Sequence, residues 1–218
     1  MNLLSNKQMK EILDELLSAY STWEELLEGE HSNLKFLGRG SEKEAYLHIT
    51  SGSVIKVPTT SDWFFDFLQT EVEVRFIEET PLSDFPEDDV EAIEMILPLM
   101  AGGWIYSTEV EIEIPIIVME YITPASSEDV YSPILNSYVT ASDDSDNLED
   151  FLLKDYGLPP KSTEKYIDAV SSLSLVLESV FGENEEGGNK SDMMVNFNNF
   201  GFNEVGEFKI LDFGWGLG

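Results

Sequence analysis

The chain has no cysteine, only two histidines and no long apolar run. Without cysteine among its 218 residues, it has no disulfide, no zinc–thiolate site and no cysteine nucleophile. Two histidines do not by themselves build a histidine-rich metal site. No apolar stretch approaches the roughly 18 residues that a membrane-spanning helix needs. Charged residues interrupt the first turns, where a signal peptide would be continuously apolar. We therefore expect a cytoplasmic protein.

Basic residues are scarce relative to acidic ones. Twelve Lys and Arg against 43 Asp and Glu give a formal net charge of -31. A surface of this sign repels nucleic-acid phosphates and anionic membranes, so we expect no direct binding to either. It favours cationic partners such as a basic or DNA-binding protein, although high solubility alone also explains it. The 42% hydrophobic and 11% aromatic content is typical of a folded domain.

Hydrophobic spacing predicts an α+β chain. Apolar residues from Met9 to Leu27 recur at helical spacing, which predicts one amphipathic helix that packs on the fold from an extension, residues 1–32. Short β-rich runs joined by a turn at Gly52 follow. The further predictions are a helix from Asp62 to about Glu79, strands around Ile96–Leu99, Trp104–Tyr106 and Ile112–Met119, a helix from Ser162 or Thr163 that Gly182 ends, and a hairpin of Phe200–Phe202 with Phe208–Leu211.

Two segments in the β-rich part carry candidate binding chemistry. In Leu37–Tyr46, Gly38 and Gly40 let a strand–turn–strand backbone approach phosphate oxygens closely, although two glycines in a hairpin also fit an ordinary turn. Lys56 follows with apolar residues on both sides. A lysine in this setting must find an anion or lie at the edge of the sheet with its stem on the apolar surface.

Two further segments carry acidic residues. Glu71, on the helix predicted from Asp62, would hold an interior lysine against the phosphates of a nucleotide. Glu73 is the alternative, and a solvated helix surface explains either residue equally simply. Near the C-terminus, Asp212 follows an apolar strand and precedes Phe-Gly, which is suited to binding Mg²⁺ that bridges phosphates. Asn199, just before the predicted hairpin, would supply a second metal contact.

Together these segments resemble the protein-kinase-like superfamily. Its signature set includes a Gly-rich loop, a strand lysine, a helix glutamate, a catalytic loop with Asp and Asn, and D-F-G. The compact form and Asn199–Gly201 look most like small phage-encoded or bacterial kinase-like proteins. The resemblance covers about Leu34 to Gly214. It implies a two-lobe fold, with an antiparallel sheet and one helix over 33–123 and a reduced, mostly helical lobe over 124–218.

The resemblance also implies an ATP and Mg²⁺ site. The lysine would orient phosphates, the glutamate would hold the lysine, and an aspartate would accept the proton of a protein hydroxyl. The segment that joins the lobes would offer backbone groups to adenine. The implied residues are catalytic Lys56, Glu71 and Asp192, nucleotide-binding Gly38, Gly40, Lys56, Glu120 and Ile122, and the metal ligands Asn199 and Asp212.

The sequence departs from the family pattern in three places. Lys43 stands at the third glycine of the loop, which weakens coverage of the phosphates but adds a cation there. Asp192 lies seven residues before Asn199 instead of five, so either the loop has a two-residue insertion or Met194 takes the place of the base. Only six residues follow Asp212, too few for an activation segment and substrate-gripping helices. Two hypotheses remain: an active phosphotransferase, and a degenerate pseudokinase whose acidic surface inhibits a partner or imitates DNA.

Overall fold

The chain alternates helices with antiparallel strands, which confirms the α+β class. The computed structural model describes residues 6–29, 33–39, 43–59, 63–80, 84–124 and 200–211, together with 169, 172–173, 175–176 and 179. The helices are α1 (Lys7–Ala19), α2 (Trp23–Glu28), α3 (Trp63–Glu79) and α4 (Glu87–Ile96). The strands are β1 (Leu34–Arg39), β2 (Lys43–His48), β3 (Ser53–Pro58), β4 (Met100–Ser107), β5 (Ile112–Met119), β6 (Thr123–Pro124), β7 (Phe200–Phe202) and β8 (Phe208–Ile210).

The elements fall into two compact units. One contains α1–α3 and a five-stranded antiparallel sheet in the order β1-β2-β3-β5-β4. The other contains α4 and a three-stranded sheet in the order β6-β7-β8. The predicted turn between β2 and β3 is confirmed, with the Gly52 N–H donating to the His48 carbonyl at 2.8 Å. Helices α1 and α2 thus belong to the same compact unit as the five-stranded sheet. The predicted domain boundaries after residues 32 and 123 stay predictions.

The N-terminal segment forms two helices, so the single predicted helix from Met9 to Leu27 is wrong. Tyr20 is extended and ends α1, and the Thr22 hydroxyl oxygen accepts from the Glu25 N–H at 3.2 Å to cap α2. The apolar spacing continues across this break, so periodicity alone does not reveal it.

Helices α1 and α2 cover one face of the five-stranded sheet. This confirms the prediction that the N-terminal helical segment packs on the fold. The buried residues of this layer are Met9, Leu13, Leu16, Trp23 and Leu26 from the helices and Ile55, Val57, Ala101, Ile105, Ile114, Ile116 and Val118 from the sheet. Burial of this apolar surface stabilises the unit by about 25 cal/mol for each Å² removed from water. The N-terminal helices are therefore part of the core that supports the sheet.

Two consecutive glycines in β4 let helices approach both faces of the sheet. A Cβ on Gly103 would lie 2.9 Å from Cδ2 of Leu13 in α1, whereas a Cβ on Gly102 would lie 3.2 Å from Cα of Val74 in α3. Successive strand residues point to opposite faces. We call the side of Gly103 the α1 face and the side of Gly102 the α3 face.

The residues before β4 form a helix, so the strand predicted over Ile96–Leu99 is wrong. Ile96 is the last residue of α4, and Ile93 and Ile96 are buried. Acidic residues fill the first turn of this helix, where the helix dipole favours negative charge. A short apolar run fits a buried helix end as well as a strand, which accounts for the wrong prediction.

The second unit contains the predicted C-terminal hairpin. Strands β7 and β8 pair antiparallel, which confirms it to within one residue. The Lys209 ammonium donates to the Met95 carbonyl of α4 at 2.8 Å. In the segment predicted as a helix from Ser162 or Thr163, all the described residues are helical and Leu173 is buried.

One carboxylate ties the turn between β4 and β5 to α2. Glu24 accepts hydrogen bonds from the Ser107 hydroxyl at 2.6 Å and from the backbone N–H groups of Thr108 and Glu109 at 2.9 and 3.2 Å. Burial raises the pKa of Glu24, but these hydrogen bonds outweigh it and lower the pKa to about 2. Glu24 is therefore charged wherever the protein is folded near neutral pH.

Replacing Glu24 by Gln is expected to lower the free energy of unfolding by about 1 kcal/mol at pH 7, because the amide accepts weaker hydrogen bonds. The folded pKa is depressed, so this contribution is complete above the ordinary carboxyl value of 4.5 and is lost as the pH falls towards about 2. Urea unfolding of both proteins from pH 7 to pH 3 measures the difference. It must shrink on acidification, and a constant difference would contradict this account.

Replacing Gly102 by Ala is expected to lower the free energy of unfolding by about 1–3 kcal/mol, because the new Cβ meets the backbone of α3. Gly103→Ala is expected to cost less, because it meets the flexible end of Leu13. Urea midpoints at equal m values report both changes. Wild-type stability of Gly102→Ala would show that α3 does not pack closely on this strand.

Candidate functional site

A row of cross-strand neighbours crosses the α3 face of the five-stranded sheet. The register pairs Gly38 with Ala45, Ala45 with Lys56, Lys56 with Ile117, and Ile117 with Gly102. Residues directly opposite each other in antiparallel strands lie on the same face. Because Gly102 faces α3, the Lys56 side chain also projects from the α3 face. We call these five residues the lysine row.

Lys56 interrupts an otherwise buried strand. It is partly exposed, while the other five residues of β3 are buried. Strand β3 lies between β2 and β5, so Lys56 is not an edge lysine, which was the simpler explanation of the sequence pattern. The small residues Ala45 and Gly38 follow it across the face, and this leaves the lysine flanked by little side-chain bulk on that side.

A second lysine on the same face is paired with α3. Lys43 Nζ lies 3.0 Å from Oε2 of Glu73, and the two side chains are only 7% and 1% exposed. Lys43 precedes Ala45 by two residues, so both point to the α3 face. The sequence singled out Lys43 as a replacement for glycine and Glu73 as an alternative to Glu71. It did not indicate that Lys43 and Glu73 meet.

Glu71, the residue predicted to hold Lys56, pairs with Arg75 one helical turn later. Its side chain is partly buried at 17% exposure. Of the two candidate carboxylates on α3, Glu73 is the more deeply buried, with an ion pair to a strand lysine. A role for Glu71 towards Lys56 stays a prediction.

Neither the backbone conformation nor the packing requires a glycine at position 38. Its φ is not among the positive values found at other glycines. Apart from its chain neighbours, no heavy atom of the described residues lies within 4 Å of the position that a Cβ would take. The fold therefore tolerates a side chain here, and a Gly38→Ala variant isolates any effect on ligand approach from an effect on folding.

The segment after β5 is anchored through Glu120. The Glu120 N–H donates to the Leu99 carbonyl at 2.9 Å, and Glu120 Oε1 accepts from the Leu99 N–H at 2.8 Å. Ile122 is buried. Because the Glu120 N–H is already paired within the chain, the predicted contact with adenine would use the Glu120 carbonyl or the Ile122 backbone.

Four predicted site residues lie outside the described part of the chain: Gly40, Asp192, Asn199 and Asp212. Within the described ranges, no group of three His, Asp or Glu residues is arranged to hold a metal ion. The described helices include none with the length and apolar character needed to cross a membrane. The predicted Mg²⁺ ligands and catalytic base therefore stay predictions.

Strands β1–β3, with the turns between them, form a positive region in a strongly acidic chain. Residues 34–58 contain four basic and two acidic residues, a net charge of +2, whereas the whole chain carries -31. Cations in this region attract an anion locally, while the rest of the surface repels it. A local positive charge of this kind favours the approach of an anion such as a phosphate.

Comparison of the chain with protein-family models gives no match, and comparison with curated proteins gives none either. The kinase-like resemblance therefore rests on the sequence motifs and stays a prediction. The α+β class and the antiparallel sheet agree with that resemblance, and its two-lobe arrangement is taken forward as part of the proposal below.

Removing Lys43 alone, as Lys43→Met, is expected to lower the free energy of unfolding by about 3–5 kcal/mol, because the buried Glu73 carboxylate loses its charged partner. The double variant Lys43→Met/Glu73→Met is expected to lower the free energy of unfolding by less, because it removes both buried charges. Urea unfolding of the four proteins should give a coupling energy of about 2 kcal/mol or more.

The exposed pair of Lys7 and Glu11 in α1 provides the control for this cycle. Its coupling energy is expected to be below about 0.5 kcal/mol, because both side chains are largely solvated. Strictly additive effects of the Lys43 and Glu73 changes would contradict a direct buried pairing.

Proposed function

We propose that the protein binds ATP with Mg²⁺ in a kinase-like two-lobe fold and transfers the γ-phosphoryl group to a protein hydroxyl. The observation that carries the proposal is the position of Lys56, on the α3 face of an interior strand and in one row with Gly38 and Ala45. Kinase-like phosphoryl transfer depends mainly on positioning and on electrostatic stabilisation of the phosphates. A lysine on this strand, beside a helix that carries carboxylates, is suited to that task.

The residues present fit a phosphate group. Lys56 provides a compact point charge with three donors. Gly38 leaves the backbone accessible where a Cβ would meet no described atom outside its chain neighbours. The net charge of +2 over residues 34–58 offsets the repulsion that the rest of the chain exerts on a polyanion.

In the proposed site, each residue has a defined task. Lys56 binds the α- and β-phosphates, and a carboxylate of α3 orients the lysine side chain. Asn199 and Asp212 hold Mg²⁺, which neutralises charge on the phosphates when bound. Asp192 accepts the proton of the acceptor hydroxyl, if it is the base.

A second candidate function is supported by the charge of the remaining chain. With +2 assigned to residues 34–58, the other residues carry -33. A field of this size suits binding to a basic or DNA-binding protein, with the kinase-like fold as a scaffold. The two functions differ in nucleotide dependence: an acidic inhibitor works without ATP, and loss of Lys56 leaves it active.

Saturating Mg²⁺-ATP is expected to raise the melting temperature by about 5–10 °C, because a ligand at about 100 times its Kd adds about 2.7 kcal/mol to the stability of a protein this size. Lys56→Ala should abolish most of the shift, and Asp212→Ala should remove its dependence on Mg²⁺. Thermal unfolding at constant ionic strength measures these changes.

Lys35→Ala is the matched control, because it removes the same charge from the same positive region at an exposed position. It should keep the shift. Absence of any shift for the wild type at saturating nucleotide would sink the proposal and favour the acidic surface as the functional part.

A further inference from the structure

Two lysines lie as diagonal neighbours on the α3 face. The register pairs Lys43 with Pro58 and Ala45 with Lys56, so Lys43 and Lys56 are offset by two residues on adjacent strands. Diagonal neighbours in antiparallel strands have Cβ atoms about 7 Å apart. Glu73 of α3 pairs with the first of these lysines. The face therefore carries these two lysines, and a buried carboxylate of α3 pairs with one of them.

The buried pair of Lys43 and Glu73 is poorly explained as a stabilising device. Desolvation of two charges costs several kcal/mol for each ion, and apolar replacement of such a pair is often neutral or stabilising. The chain has only twelve basic residues against 43 acidic ones. Keeping one of them buried against a carboxylate, on the face that also carries Lys56, indicates a use beyond stability.

The position of Lys43 suits a phosphate contact. It is the first residue of β2, directly after residues 40–42 of the predicted phosphate loop, and β1 ends just before that loop. An ammonium group has three donors, so a lysine that pairs with a carboxylate is able to donate to other acceptors as well. Glu73, fixed in α3 and fully buried, restricts the direction in which the ammonium points.

We propose that Lys43, oriented by Glu73, is a second phosphate-binding residue of the nucleotide site. Lys43 donates to phosphate oxygens beside those that Lys56 binds, and Glu73 is its positioning residue. This inference rests on the proposed function and adds to it a residue on which phosphate recognition depends. It predicts that loss of Lys43 weakens binding more strongly as the number of phosphates on the ligand rises. The affinity for adenosine, which has no phosphate, should not change.

The test measures the binding of ATP, ADP, AMP and adenosine by isothermal titration calorimetry. The double variant Lys43→Met/Glu73→Met removes one charge of each sign, so the net charge of the protein is unchanged and we expect the fold to be kept. Its ATP affinity is expected to fall about 10- to 100-fold, the effect of losing one hydrogen bond to a charged group. Its adenosine affinity is expected to stay within about twofold.

A charge swap separates orientation from simple structural support. Lys43→Glu/Glu73→Lys keeps a buried pair but moves the ammonium from the strand to the helix. We expect it to retain thermal stability and to show the same loss of ATP affinity. The exposed Lys35→Met variant removes a positive charge from the same hairpin and leaves the Lys43–Glu73 pair intact, and it is expected to bind ATP within about twofold of wild type.

Three results would overturn the inference while leaving the proposed function standing. These are wild-type ATP affinity in the double variant, an equal loss for ATP and adenosine, and restoration of ATP affinity by the swap. If wild-type protein binds neither ATP nor adenosine, the proposed function itself fails and the inference fails with it.

Discussion

Close packing of helices on both faces of the five-stranded sheet determines where charge can lie in this unit. Gly102 and Gly103 admit α3 and α1 to opposite sides of β4, and α1 and α2 fill their side with apolar residues. Lys43 and Lys56 both project from the α3 face. A buried ammonium needs an anion close by, and Glu73 of α3 provides one for Lys43.

The proposed site requires that a chain with a net charge of -31 accommodate a polyanion. Residues 34–58 carry four basic and two acidic residues, and the other 41 acidic residues lie elsewhere in the sequence. Local charge within a few ångströms dominates binding, because salt screens distant charges over about 8–10 Å. A strongly acidic surface and a phosphate site are therefore compatible in one protein, and the acidic surface stays available for a cationic partner.

Much of the fold follows from sequence periodicity, and the site follows only in part. The helix from Asp62 to about Glu79, the strand Ile112–Met119 and the C-terminal hairpin are confirmed. The break after Ala19 and the helix that ends at Ile96 depend on capping and on burial, which a short apolar run does not reveal. The pairing of Lys43 with Glu73 depends on strand register and on the rotation of α3, and only tertiary packing fixes these.

The central claim is that the lysines of the α3 face bind phosphate. The most direct test is NMR observation of the lysine side-chain ammonium signals during titration with Mg²⁺-ATP. The account predicts large shifts and slowed proton exchange for Lys43 and Lys56, and unchanged signals for Lys7 and Lys10 of α1. Equal small shifts at all four lysines, or none at saturating ATP, would contradict it.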